Sequence, residues 1–162
     1  MSILHAPVPA RAGEAELLGV EQVGMRLLAD GDPDDPHSVS AVRTTMARGM
    51  DGPPPHTHVT GPETFFMVEG RLHVLLGTET TTLEAGDLLV VPPHTAHAFA
   101  TPDDSGADFL FFMPGIARFD YFRLGVKVHR GEESMQAMLA TQDRYDNHLT
   151  DSPEWRRFRE AK

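Results

Sequence analysis

The sequence predicts an all-β fold, a sandwich or barrel of short strands followed by C-terminal helices. Three observations predict it. Short apolar or β-branched runs recur from Val23 to Met113, and turns containing Gly or Pro separate them. Strands do not alternate with long helical patterns in this region, which argues against a parallel βαβ fold. With 162 residues, the chain has the length of one domain with one core.

Each element follows from local pattern. Residues 1–15, with Pro7, Pro9, Arg11 and Gly13, read as an irregular arm of the kind that pairs with another subunit. Alternation of Val23, Met25 and Leu27 predicts the first strand. In the loop DGDPDDP, Asp30, Asp32, Asp34 and Asp35 are expected to be solvated, with a calcium site as the second reading. Ser38 to Met50 is rich in β-branched residues and reads as a strand. The three prolines of Gly52-Pro53-Pro54-Pro55 lack backbone donors, and the segment forms a stiff lead-in. Glu63–Val68 and Arg71–Leu76 read as strands on either side of Gly70, which permits a turn or bulge. Thr80–Leu83 is short and extended, and Leu88–Val91 is wholly apolar, as in a strand buried on both faces. Ala96–Ala100 and Asp108–Met113 complete the strands.

After Pro114, the stretch GIARFDYFRLGVKV is aromatic and mixed, with no clear period. Met135, Met138, Leu139 and Gln142 have helical spacing, which predicts a helix over Glu132–His148 with Glu132 and Glu133 favouring its start. Ser152 and Pro153 form the start of another helix, whose Trp155 and Phe158 would pack on the barrel. The chain divides into an N-terminal arm and first strand (1–37), a barrel core (38–114), and a C-terminal strand and helical extension (115–162).

Composition narrows the function. The net charge is -10, from 24 acidic against 14 basic residues, which argues against nucleic acid or an anionic membrane as partner. With no cysteine there is neither a disulfide framework nor a thiol nucleophile, in keeping with a reducing cytosol. No apolar run approaches the roughly 18 residues of a membrane span, so a cytoplasmic protein is expected.

The stretch DGPPPHTHVTGPETFFMVEG, Asp51 to Gly70, organises the chain. On an extended backbone alternate side chains share a face, so His56 and His58 can point at one ion. Glu63 can join them once the chain turns through Thr60-Gly61-Pro62. Imidazoles and a carboxylate suit a divalent transition metal. His97 is a candidate fourth ligand, with His94 and His73 as competitors. His73 reads as structural or exposed and His94 as a rim residue near substrate; His5, His37, His129 and His148 are expected to be exposed. Phe65 and Met67 share a face with Glu63, and Phe99 shares one with His97. With Phe109, Phe111, Phe112 and Met113 they make an apolar interior, better suited to an aromatic or polyketide-like molecule than to a sugar. Phe65, Met67, His94, Phe99, Phe111 and Met113 form the expected substrate pocket.

Residues 56–70 read H-x-H-x4-E-x6-G, and residues 86–97 read G-x5-P-x-H-x2-H. Both resemble the motifs of the cupin superfamily, over roughly residues 40–113. The second departs at His94, where cupins usually have glycine, and at Thr101, where many have asparagine. The resemblance implies a jelly-roll barrel in which His56, His58, Glu63 and His97 hold one divalent transition metal per subunit. Iron, manganese, nickel, cobalt, copper and zinc all remain candidates. It also makes Glu63 the catalytic base and a homodimer the expected assembly. Similarity to quercetinase-type single-domain cupins implies a dioxygenase acting on a flavonol-like or enolic small molecule, with dioxygen as co-substrate. A non-oxidative cyclase or isomerase, and a binding module without catalysis, are the alternatives.

Overall fold

The structure is a computed structural model and describes residues 9–161. His5 and Pro7, and with them most of the expected arm, lie outside these residues. Ten strands appear in the order β1 Glu16–Val20, β2 Val23–Ala29, β3 Val39–Met46, β4 His56–Thr57, β5 Glu63–Leu76, β6 Glu79–Glu84, β7 Leu88–Val91, β8 His97–Ala100, β9 Ala107–Pro114 and β10 His148–Leu149. Four helices follow β9: α1 Phe119–His129, α2 Met135–Leu139, α3 Gln142–Tyr145 and, after β10, α4 Pro153–Glu160. The strands form two layers in a jelly-roll-like arrangement. One layer runs β1-β2-β3-β9-β5 with β7 on β5; the other carries β6 and β8 on the second half of β5, then β4 and β10.

The layers share β5. Its first half pairs with β7 and β9, and its second half with β6 and β8. The sequence suggests two strands here, yet the backbone continues through Gly70 with only a register shift between Met67 and Glu69. Gly70 has φ +77, and a Cβ there would lie 2.0 Å from the Gly106 carbonyl oxygen. Only glycine fits both the conformation and the space. A bulge of this kind bends a strand without ending it.

Inside, Phe65, Phe99, Phe109 and Phe111 form one aromatic cluster. The Phe65–Phe99 centroids are 5.6 Å apart, Phe99–Phe109 5.4 Å and Phe65–Phe111 6.2 Å. Leu27, Val42, Met67, Leu72 and Val74 complete this core. A smaller cluster joins Leu75, Ala98 and Ala100 to Trp155 and Phe158, so α4 packs on the barrel as its spacing predicts. Ser152 caps α4 by accepting from the Trp155 amide at 3.2 Å, a bond worth about 1 kcal/mol.

Several expectations are corrected. The 1–37 segment holds a β1–β2 hairpin, not one strand, because Glu21 adopts φ 49 and turns the chain. β7 is buried on one face only: Val91 is 1% exposed, but Leu88 is 63% and Val90 50%. Phe66 and Val68 of β5 are exposed on the same outer face, where Phe66 pairs with Leu88. The helix expected over 132–148 is two short helices and β10. Ser134 caps α2, and Asp146, in the left-handed region, ends α3. Short polar side chains bonding to nearby backbone compete with helix continuation. His148, expected to be exposed, sits in β10 and is half-buried.

The unassigned aromatic stretch becomes α1. The acidic loop caps it: Asp30 Oδ1 accepts from the amides of Arg118 at 2.6 Å and Phe119 at 3.2 Å. Asp32 and Asp35 accept from amides of their own loop, Asp34 and His37, each at 2.9 Å. Among the described residues no helix is long and apolar enough to cross a membrane.

Candidate metal centre

His56 lies in β4 and His97 in β8, where they are direct cross-strand partners. His58 follows β4, and Glu63 opens β5, opposite Val91 of β7. The turn through Thr60-Gly61-Pro62 brings Glu63 back to the histidines. One ligand atom from each of His56, His58, Glu63 and His97 lies within 4.8 Å of the others, and all four residues are buried. The imidazole centroids are 4.3 to 5.0 Å apart.

Hydrogen bonding fixes which nitrogen of each ring is free. His56 Nδ1 contacts the Pro54 carbonyl at 2.8 Å, His97 Nδ1 that of Thr95 at 2.9 Å, and His58 Nδ1 that of Asp146 at 2.5 Å. A carbonyl oxygen only accepts, so each Nδ1 carries hydrogen. Each Nε2 therefore turns away from the backbone toward the site, the arrangement expected of ligating histidines with a carbonyl behind them. His58 Nε2 is buried with no hydrogen-bond partner, and lies 3.4 Å from Glu63 Oε2. His97 Nε2 donates to the same oxygen at 2.8 Å. An orphaned buried nitrogen, two further Nε2 atoms and a carboxylate at one point fit a divalent transition ion.

Electrostatics agree with the packing. Burial, then the neighbouring His97, push the His56 imidazolium down to about 3, so His56 is a neutral ligand at physiological pH. Burial alone would raise the Glu63 carboxyl, but the imidazoles of His58 and His97 outweigh it and hold Glu63 well below its usual range. Burial also works against a charged His97, yet the bond and charge of Glu63 prevail and raise its pKa.

The surroundings are less apolar than the sequence suggests. Arg118, at the N-terminus of α1, is 1% exposed. Its Nη2 lies 3.4 Å from His58 Nδ1 and donates to the Asp146 carbonyl at 3.3 Å, while its Nε has no partner. Burial lowers its pKa, with Glu63 and Asp146 opposing the shift. Tyr121, one turn along, accepts from Asn147 Nδ2 at 2.6 Å, and burial pushes its hydroxyl up to about 12. Arg118, Tyr121, Asp146 and Asn147 were not singled out from the sequence. The signal was faint: the first of two arginines in an aromatic stretch, and an Asp-Asn pair of the kind that favours left-handed backbone.

Of the expected pocket, Phe65 packs its ring 6.5 Å from that of His97. Phe99 and Phe111 stand behind it in the aromatic cluster, and Met67 and Met113 are fully buried. His94 is exposed on its turn, with φ 65, the conformation in which cupins usually place glycine. Its amide donates to the His58 carbonyl at 2.7 Å. His73 bonds Thr82 Oγ1 and meets the Phe158 ring, away from the ligands. A surface cavity of about 250 Å³ is lined by Asp30, Pro33, Ile116, Ala117, Asp120, Arg144 and Tyr145. His56, His58, Glu63 and His97 do not line it.

The cupin domain model matches residues 42–113. An RmlC-like cupin from Shewanella frigidimarina superposes with TM-score 0.58 at 24% identity, covering 72% of this chain and 96% of that one. Residues 42–113 thus form a cupin domain. The cupin is also similar in fold to enzymes. The nucleoside dehydratase Pac13 of Streptomyces matches with TM-score 0.53 and 20% identity, over 68% of this chain and 83% of its own. The polyketide cyclase RemF of Streptomyces resistomycificus matches with TM-score 0.57 and 16% identity, over 76% and 98%. None of the curated proteins matches the sequence. The domain match ends at residue 113, so Arg118 and Asp146 lie outside it.

Proposed function

We propose that this cupin is a metal-dependent enzyme acting on a small molecule with an enolic or phenolic hydroxyl, and that its reaction is a dioxygenation. The observation carrying the metal reading is the release of three Nε2 atoms toward Glu63 by three carbonyl-bound Nδ1 atoms. A bound divalent metal supplies Lewis acidity toward a substrate oxygen and, if redox-active, a route to dioxygen. The protein contributes the rest. Glu63 is kept ionised by His58 and His97 inside a desolvated site, so its carboxylate can accept the proton of an acidic hydroxyl. Phe65 closes the apolar side and excludes water. His94 and the remaining expected pocket residues, Met67, Phe99, Phe111 and Met113, would shape the cavity's rim and floor.

A non-oxidative cyclisation or isomerisation is the second reading, and a specific observation favours it. Arg118 is a buried cation whose Nη2 lies 3.4 Å from His58 Nδ1, beside the four-residue cluster, which suits stabilising an enolate without oxidation. Likeness in fold to a polyketide cyclase is compatible with it. Oxygen consumption with a panel of flavonols and enediols, each metal restored in turn, separates the two. Oxygen uptake with product formation supports the dioxygenase; anaerobic turnover with zinc sufficing supports the cyclase or isomerase. Metal binding with no turnover of any substrate would leave a binding module. A homodimer is the proposed assembly, supported by the exposed apolar face of Phe66, Val68, Leu88 and Val90.

A further inference from the structure

The segment after α3 lies along the metal-binding loop for its whole length. Asp146 accepts through its backbone oxygen from His58 Nδ1. Its carboxylate accepts from the Val59 amide at 2.8 Å, the Thr60 amide at 2.9 Å and the Thr60 hydroxyl at 2.6 Å. β10 then pairs with β4, setting His148 opposite Thr57 and Leu149 opposite His56. The Thr150 amide donates to the Pro55 carbonyl at 2.9 Å. β4 is only two residues long, and its other ladder contact is the single pair His56–His97. The loop carrying two of the four ligands is therefore held mainly by residues 146–150, which the cupin domain match does not include.

We propose that Asp146 is a positioning residue for the metal ligand His58, and that metal binding and docking of residues 146–150 are thermodynamically linked. This rests on the metal reading above. The carbonyl of residue 146 sets the tautomer and tilt of the His58 ring. The carboxylate fixes the two residues that follow, so both ends of that peptide segment are held. The carbonyl points at His58 because Asp146 is left-handed, φ 48 and ψ 49, a conformation open to Asp, Asn and Gly and costly for β-branched residues. Linkage is reciprocal: if the docked segment tightens the metal, the metal tightens the docked segment by the same factor.

The test is a substitution series with two readouts. Asp146→Asn keeps the left-handed backbone and one acceptor; Asp146→Gly keeps the backbone and deletes the clamp; Asp146→Val strains the backbone itself. Zinc affinity is measured by chelator competition, and ligand geometry by the visible spectrum of the cobalt(II)-loaded protein. Outer partners of metal ligands typically contribute 10–100-fold in affinity. Asp146→Gly should fall in that range, Asp146→Val should lose more, and Asp146→Asn should recover most of the loss. In the unaltered protein, zinc should slow hydrogen exchange at the Val59, Thr60 and Thr150 amides and leave the β2–β3 ladder unaffected, a readout that does not depend on any variant folding. Variants that melt earlier yet keep the zinc affinity and cobalt spectrum of the unaltered chain would reduce Asp146 to a structural role and overturn the inference, as would zinc-independent exchange at those three amides. If the unaltered chain binds no metal, the metal reading fails and takes the inference with it.

Discussion

His97 ties the centre to pH. Without metal it shares a short bond with Glu63, and its pKa is raised above the ordinary value of about 6.5. The pair thus contributes stability that is fully present below about pH 6.5 and is lost as pH rises through the folded value. A metal at Nε2 must displace that proton. Apparent metal affinity should climb by about tenfold per pH unit until the folded pKa of His97 is passed, then level off. Chelator competition across about pH 5 to 8 reads this directly, and a flat profile would refute it. His56, held neutral by burial, adds nothing to the slope. At Glu63, replacement by Gln keeps the shape but removes the charge and the proton acceptor. Turnover on whichever substrate is identified should drop by about 10²–10⁴-fold, with metal affinity also reduced. Unchanged turnover would remove Glu63 from the chemistry. His56, His58 and Glu63 were legible as candidate ligands because side-chain chemistry and spacing define them, whereas His97 was singled out over His94 and His73 by the cupin resemblance. Asp146 was not, because it acts on His58 through a carbonyl that every residue possesses, at a distance only the fold sets.

The bend in β5 is the element on which both layers depend. Gly70→Ala must place a Cβ against the Gly106 carbonyl in a left-handed backbone. The cost should be on the order of 3 kcal/mol, near the top of the range for backbone strain, and a chain of this size loses about 2–4 °C of melting temperature per kcal/mol. A thermal melt showing a loss under about 1 kcal/mol would mean the two halves of β5 are held independently of the bend. In sequence, a glycine between two apolar runs marks a turn and a bulge alike, which is why β5 resembled two strands. The misread helix has a similar cause. The Met and Leu spacing at 135–139 is truly helical, but the Ser134 cap and the left-handed Asp146 cut the pattern on either side. Trp155 and Phe158 were readable because Ser-Pro marks the start of α4 unambiguously.

At the scale of the molecule, an apolar stripe runs across the outer face of β5 and β7 through Phe66, Val68, Leu88 and Val90. A run such as LLVV looks the same whether a second layer of its own chain covers it or a partner does, so its exposure could not be read from residue types. If this face joins two copies, Leu88→Lys with Val90→Lys should convert a dimer to a monomer in sedimentation velocity while metal content is retained. An unaltered chain that sediments as a monomer would refute the homodimer.

The bond between His58 and Asp146 spans 88 residues of chain. Synthesis runs from the N-terminus, so all four ligands leave the ribosome before the carbonyl that orients one of them. A nascent chain halted at residue 130 carries the full ligand set without its last brace. If the centre binds a metal as proposed, a product that stops at residue 130 should compete for the ion less well than one that reaches residue 150.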